Sequence, residues 1–341
     1  PSQAGISSRS TLQSIRSLRE TNGNRIALRI EGKSAPAYLR AYAREHFDGR
    51  EWSSTADFIP LQSLPAPASV RERVREDRVY PIRPGGDDTA DDFSVWPSPP
   101  HSGVLFSTLD TALAAASPET MRIDAHRCCT LEALPRSRPY LLVTGALPGG
   151  DTPDESLLRR CLEVPVSLSD DAVEVCRSAL EAAHTTGEKV ELAVRFFKQH
   201  YRYQIGIEIP HDEDPVSYFL TEQPAAHCEF FATGAAMMLR LAGVPCRYVT
   251  GFIVWEKSGG YWVARNRDAH AWVEAWDHDR GWVIVEATPP DGLPHAMGSG
   301  PFSVFLDGIR FRLGVLWAML REEGIYSLAL AGAWLLKILG G

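Results

Sequence analysis

Cys228, His270 and Glu286 are the residues whose types and order support covalent chemistry. Cys228 lies in AAHCEFFATGAAMMLRLAGVPCRYVTGF (225–252), at the predicted start of a helix. Free N–H groups and a partial positive charge at that end favour thiolate over thiol. A nucleophilic cysteine needs such a site or an adjacent base, because an ordinary thiol is mostly protonated at neutral pH. His270 lies in RNRDAHAWVEAW (265–276) and has the chemistry of a general base that later protonates a leaving amine. Glu286 follows in GWVIVEATPP (281–290). A turn at 277–280 between two antiparallel strands would set it beside His270, where its carboxylate is expected to accept the Nδ1–H and fix the tautomer. Asp268, two residues before His270, is the alternative acid, but it lies along the strand rather than across from it.

An acyl transfer also needs donors for the developing oxyanion. The Cys228 backbone N–H is one. Gln223, five residues upstream, is a candidate for the second. His227 and Trp262 are further cleft candidates, although aromatic residues on such strands commonly belong to the core. His211-Asp212-Glu213-Asp214 has hard-cation ligand types but no glycine-containing calcium loop, so it reads as a solvated acidic loop. No CxxC and no Cys/His zinc spacing occurs, and no cofactor or metal is expected.

The chain that must position these residues has 341 residues, about two domains' worth. Its net charge of -8 argues against nucleic acid as a partner. Six cysteines are too few for a disulfide scaffold. Cys161 and Cys176 have the makings of a pair in an oxidising compartment. Cys128 and Cys129 point to opposite faces of one strand, so at most one is expected to be buried with a partner. Residues 1–23 are Ser- and Arg-rich and read as a polar lead-in. Residues 24–148 alternate apolar and polar at the period of half-buried strands, including 26–30, 36–47, 70–82, 103–107, 121–134 and 140–145. They form the predicted β-rich region.

From 149 to 292 the pattern turns to helices followed by consecutive strands, an α+β arrangement. Ser169 is a plausible N-cap for 170–184, a second helix covers 188–201, and a third runs from Cys228 to Ala242 and stops at Gly243. Strands follow at 247–255, 260–265, 270–276 and 281–287. Residues 293–341 comprise a linker, an amphipathic stretch (302–320) and an apolar end carrying a single Lys from 324 onward. That end sits at the short edge of the roughly 20 residues that span a bilayer. With Pro rather than Met at residue 1, the chain reads as a fragment or a processed form.

The Cys–His–acid order, with Gly-Val-Pro (243–245) after the cysteine helix and Asp-Ala-His-Ala-Trp (268–272) around the histidine, resembles the transglutaminase-like superfamily. The look is closest to bacterial membrane-anchored transglutaminases of the TgpA type, strongly over 186–292. A weaker echo lies in Tyr-Leu-Arg (38–40) and HFDGREW (46–52). The resemblance implies a papain-like α+β core, with a nucleophile helix packed on an antiparallel sheet, preceded by a mostly-β domain. It implies acyl transfer through a thioester on Cys228 from a glutamine side chain or peptide carbonyl of a protein substrate to an amine or water. It also implies membrane segments flanking the chain and a catalytic part on the periplasmic side of the inner membrane. The family usually carries Asp where Glu286 stands, one methylene shorter. A cysteine peptidase with the same triad, or a non-catalytic binding scaffold on this fold, are the alternative readings.

Overall fold

The computed structural model describes residues 6–67, 71–74, 78–83, 89–98, 103–117, 120–131, 138–145, 152–293, 311, 313–318 and 321. Two sheets organise the molecule. A four-stranded antiparallel sheet runs in the order Gly281–Val285, Ala269–Asp277, Cys246–Val254, Ala37–Arg44. A seven-stranded antiparallel sheet has Tyr261–Arg265 and Ile26–Glu31 as neighbours, followed by Thr89–Pro97 and Tyr140–Gly145. Strands on either side of residue 148 therefore pair in both sheets, so the compositional division at that point does not divide the hydrogen bonding.

Three helices of the second region begin at side-chain caps, of which the sequence reading names Ser169. Pro215–Glu222 is a helix where that reading has a solvated acidic loop leading into an unassigned segment. Ser169 Oγ accepts from Ala172 N ahead of Asp170–Leu180. Thr185 and Glu188 form a reciprocal capping box for Thr186–His200. Asp214 caps Pro215–Glu222, with proline in the first turn. The helix that Cys228 opens, Cys228–Leu241, is buried along nearly its whole length. Its Ala232, Ala235, Ala236, Met237 and Leu239 join the same core as Ala269, Ala271, Val273 and Ala275 of the histidine strand. Small residues on both elements let them approach closely. Gly243 at φ +76° ends the helix, as the sequence predicts.

Three sequence expectations are corrected. Within the polar lead-in, Ser14–Asn22 is a helix with Ile15 and Leu18 buried in the main core. Its polar average hid an apolar pair at i, i+3. Residues 70–82 are not one strand: among the described residues of that stretch Arg71–Val74 is a helical turn burying Val74 and Arg78–Pro81 is extended. Residues 121–131, the described part of 121–134, hold two strands, Met121–Ile123 and Cys129–Leu131, joined by a turn. There Asp124 Oδ1 accepts from His126 N and Cys128 N.

Both Cys128 and Cys129 are buried, and neither is in a disulfide. Cys129 faces the main core, while Cys128 packs with Ala43, Val249 and Trp272. Both faces of this layer are covered. All six cysteines are buried and free, Cys161 and Cys176 included.

The strand Ala37–Arg44, at the edge of the four-stranded sheet, lies unusually close to Cys246–Val254 because of one glycine. A Cβ on Gly251 would fall 2.0 Å from the Leu39 carbonyl oxygen. Gly251 also lies directly opposite His270. Gly251→Ala must push the two strands apart. It is expected to destabilise by about 3 kcal/mol, the upper range for overpacking, with a matching drop in the urea midpoint of unfolding.

Residues 311, 313–318 and 321 are helical. The apolar stretch from 324 onward lies outside the described residues. Among the described residues no helix is long and apolar enough to cross a membrane.

Candidate active site

Cys228 opens its helix from a loop fastened on one side. Ala226 N donates to Arg202 O (3.1 Å), and Gln204 N donates to Ala226 O (2.8 Å). The N-cap residue is His227, whose side chain makes no capping hydrogen bond, so the helix end is not closed by a side chain. Cys228 and His270 are both fully buried in the fold. His270 comes from the strand Ala269–Asp277, held between Gly251 on one side and the strand Gly281–Val285 on the other. Glu286 follows directly on that last strand and stays partly accessible.

The geometry joins these residues in a chain. His270 Nε2 lies 2.8 Å from Glu286 Oε2. Thr288 N donates to Glu286 Oε1 (2.9 Å), and Tyr38 OH donates to Oε2 (3.1 Å). The carboxylate is thus gripped at both oxygens. The sequence expectation of an Nδ1–H to the carboxylate is corrected: the acid takes Nε2. Nδ1, buried and without another partner, is the nitrogen left for the Cys228 sulfur. Residue separation along the chain carries no information about which ring nitrogen faces which neighbour.

Electrostatics follow from this order. Burial alone would raise the Cys228 thiol. The His270 charge, hydrogen bonding to His227 and His270, and the Arg19 charge together overcome it and hold the thiol well below its ordinary value. Burial works against the His270 charge too, yet Glu286 and the Cys228 sulfur raise it to about 9. Glu286, despite desolvation, is held below the usual carboxylate range by His270 and by the Thr288 hydrogen bonds. The favoured state near neutrality is a thiolate–imidazolium–carboxylate row, which suits attack on a carbonyl followed by protonation of a leaving group.

The other candidates are placed as follows. His227 is buried beside Cys228, with its Nδ1 3.4 Å from Glu229 Oε2. Gln223 is exposed at the left-handed C-cap of Pro215–Glu222 (φ +51°). Trp262 is on the seven-stranded sheet, paired with Ile30 and Lys257, with the Lys257 ammonium 5.4 Å from its ring centroid. These contacts describe Trp262 as part of a sheet surface. Asp268 accepts from Arg265 N (2.7 Å), closing the short turn Asn266–Asp268 before the histidine strand, and is not turned to His270. Asp214, from the acidic run, is the helix cap already described. Among the described residues no three His, Cys, Asp or Glu side chains are grouped to hold a metal ion.

Two participants were not among the sequence candidates. Tyr38 lies some 250 positions from its partner, and only the close strand approach at Gly251 brings it to Glu286. Its membership in the segment 38–40 was the available signal. Glu229, next to the nucleophile, is fully buried and accepts from Ile15 N (3.1 Å) and Arg16 N (3.3 Å) at the start of the N-terminal helix. Burial raises its carboxyl to about 7. An acid inside an apolar helix gave no hint of its partner.

Comparison with known proteins agrees with this architecture. The transglutaminase-like superfamily matches residues 174–287, the span from the second-region helices to just past Glu286. An uncharacterized Bacillus subtilis protein, YebA, is 37% identical over 89 residues, 24% of this chain and 12% of that protein. A protein-glutamine gamma-glutamyltransferase of Pseudomonas aeruginosa is 26% identical over 273 residues, 76% of this chain and 37% of that protein. The chain thus spans well under half the length of either relative. The crystal structure of the periplasmic domain of TgpA from Pseudomonas aeruginosa is similar with a TM-score of 0.62 at 20% identity, over 92% of this chain and 99% of that one. Its ethylmercury-bound form gives 0.61 at 22% identity, over 88% and 99%. At such identities the likeness is one of fold.

Proposed function

Because residues 174–287 form a transglutaminase-like domain, we propose that this chain is a cysteine acyltransferase working through a thioester on Cys228. The observation that carries the reading is the row Cys228–His270–Glu286, with Glu286 Oε2 2.8 Å from His270 Nε2 and the thiol held well below its ordinary value. The thiolate attacks the carboxamide carbon of a glutamine side chain. A C–S bond forms and the carbonyl π pair moves to oxygen. The pair then returns, the C–N bond breaks, and ammonia leaves with the proton from His270. The thioester is next attacked by an amine, or by water, whose proton passes to the neutral His270 as sulfur departs as thiolate. The Cys228 backbone N–H, first in its helix, suits the oxyanion.

The substrate is accordingly a protein or peptide with a glutamine donor and an amine acceptor. We place the domain in the cell envelope, on the periplasmic side of an anchored protein, since the solved relative is a periplasmic domain. Incubation with a glutamine peptide and a labelled amine tests the reading. The expected products are the labelled peptide and free ammonia, and mass spectrometry should find the acyl group on Cys228. Cleavage of the peptide bond without amine uptake would assign the same residues to a peptidase. Neither product, with Cys228 still alkylated rapidly by iodoacetamide, would leave a binding scaffold.

A further inference from the structure

Several unusual contacts converge on Tyr203, which lies within the matched domain, and on Arg19, which lies far outside it. Tyr203 bridges in parallel to Ala226, two residues before the nucleophile. The flanking bonds from Gln204 N and to Arg202 O fasten this pairing from both sides. One side of the ring is closed by backbone: a Cβ on Gly292 would lie 2.1 Å from Tyr203 Cδ2. Gly292 belongs to the short turn Pro290–Gly292 that follows the Glu286 segment. The nucleophile loop and the segment carrying the acid therefore both position the phenol.

Arg19 arrives from the N-terminal helix. Its Nη1 donates to Tyr203 Oη at 2.7 Å. Glu229 docks that helix through Ile15 N and Arg16 N, and Arg267 N donates to Gly23 O at its far end (2.9 Å). Arg19 is one of the charges that lower the Cys228 thiol, and the Cys228 charge in turn helps raise the Tyr203 phenol, so both side chains lie within electrostatic reach of the sulfur. Burial is the larger cause of the upward shift at Tyr203, which keeps its proton across the working range. An oxygen that accepts from a guanidinium has its own O–H free for another acceptor and made more acidic by the charge. Both residues are only half-buried.

We propose that the Tyr203 hydroxyl, polarised by Arg19, is the second hydrogen-bond donor to the oxyanion formed at Cys228, with the Cys228 backbone N–H as the first. This rests on the acyl-transfer reading above. When the C–S bond forms and the carbonyl pair moves to oxygen, Tyr203 donates a hydrogen bond and keeps its proton. When the pair returns, that bond weakens again. Arg19 touches no reacting atom and acts as a positioning residue. Gln223, exposed at a left-handed cap, is not needed for this role. The N-terminal helix thereby completes a site whose nucleophile, base and acid all lie in the matched domain.

The test uses two reactions of the full chain. Release of p-nitrophenolate from p-nitrophenyl acetate in the first turnover reads acylation, which builds an oxyanion. Alkylation by iodoacetamide across pH reads thiolate formation by a displacement that builds none. Tyr203→Phe is expected to slow acylation by about 10²–10³-fold, the usual loss of one oxyanion donor, with the alkylation rate and its acid limb unchanged. Arg19→Gln should slow acylation less and move the acid limb of alkylation upward, and Arg19→Lys should recover part of both. Acylation by Tyr203→Phe at the wild-type rate would overturn the proposal. So would parallel losses in acylation and alkylation, which would mark a structural role. A wild-type chain that alkylates but releases no p-nitrophenolate would overturn the acyl-transfer reading itself, and this proposal with it.

Discussion

Cys228→Ala is expected to abolish amine incorporation, and His270→Ala to remove both catalysis and the low thiol pKa. The two variants separate the nucleophile from its activation. In the wild type, iodoacetamide labelling of Cys228 should proceed at mildly acidic pH, because the thiolate forms well below the ordinary range. Without His270, the largest lowering influence is gone while burial remains, so the thiol titrates upward. At pH 6 the labelling rate should fall by at least about tenfold, the effect of a one-unit rise. The alkaline side has its own sign. His270 is raised to about 9, so its proton is present below that pH and lost above it. Acyl transfer, which needs the proton for the leaving amine, should fall as pH passes about 9. Alkylation needs no such proton and should not fall there. Labelling of wild-type Cys228 only at alkaline pH would sink the ion-pair description.

Glu286→Asp carries the second large expectation, and its sign runs against what the family's usual aspartate suggests. The glutamate carboxylate meets His270 Nε2 at 2.8 Å while Thr288 N and the Tyr38 hydroxyl hold it from other directions. The strands are spaced for the longer side chain. Removing one methylene withdraws the carboxylate by about 1 Å, a misplacement that can cost about 10²-fold in rate. The aspartate variant should therefore be a slow enzyme with its alkaline limb shifted downward, because the negative charge that raises His270 moves away from the ring. Tyr38→Phe removes one of three contacts to the carboxylate and should cost far less. An aspartate variant as fast as the wild type would show that the carboxylate is not held as described.

The local order of the second region was legible because its signals are local. Ser169 is a cap whose oxygen reaches an amide three residues away. Asp214, which the sequence reading places in a solvated acidic loop, caps Pro215–Glu222 by the same local geometry. Gly243 ends the nucleophile helix through its own φ. The N-terminal helix was missed for the opposite reason. Ser14–Asn22 has a strongly polar composition, and what stabilises it is a carboxylate more than 200 residues away together with burial of Ile15 and Leu18. The buried ionic cluster is similar. Glu274 is 2.6 Å from Arg247 and 3.5 Å from Arg40, and these come from three strands of one sheet. In the sequence each of them reads as an ordinary charge on the outward face of a strand.

Residue identity and order along the chain determined the chemistry available here: a cysteine at a helix start, then a histidine, then an acid on consecutive strands. These follow from short-range rules, since helix polarity and side-chain pKa belong to single residues and their near neighbours. Only the tertiary structure decided which histidine nitrogen meets the acid, and that Tyr38, Glu229, Tyr203 and Arg19 gather around the row. Those choices depend on distances of a few tenths of an ångström between segments up to about 250 positions apart. Such distances are set by close packing, at Gly251 and Gly292 above all, where the absence of a side chain lets two parts of the chain meet.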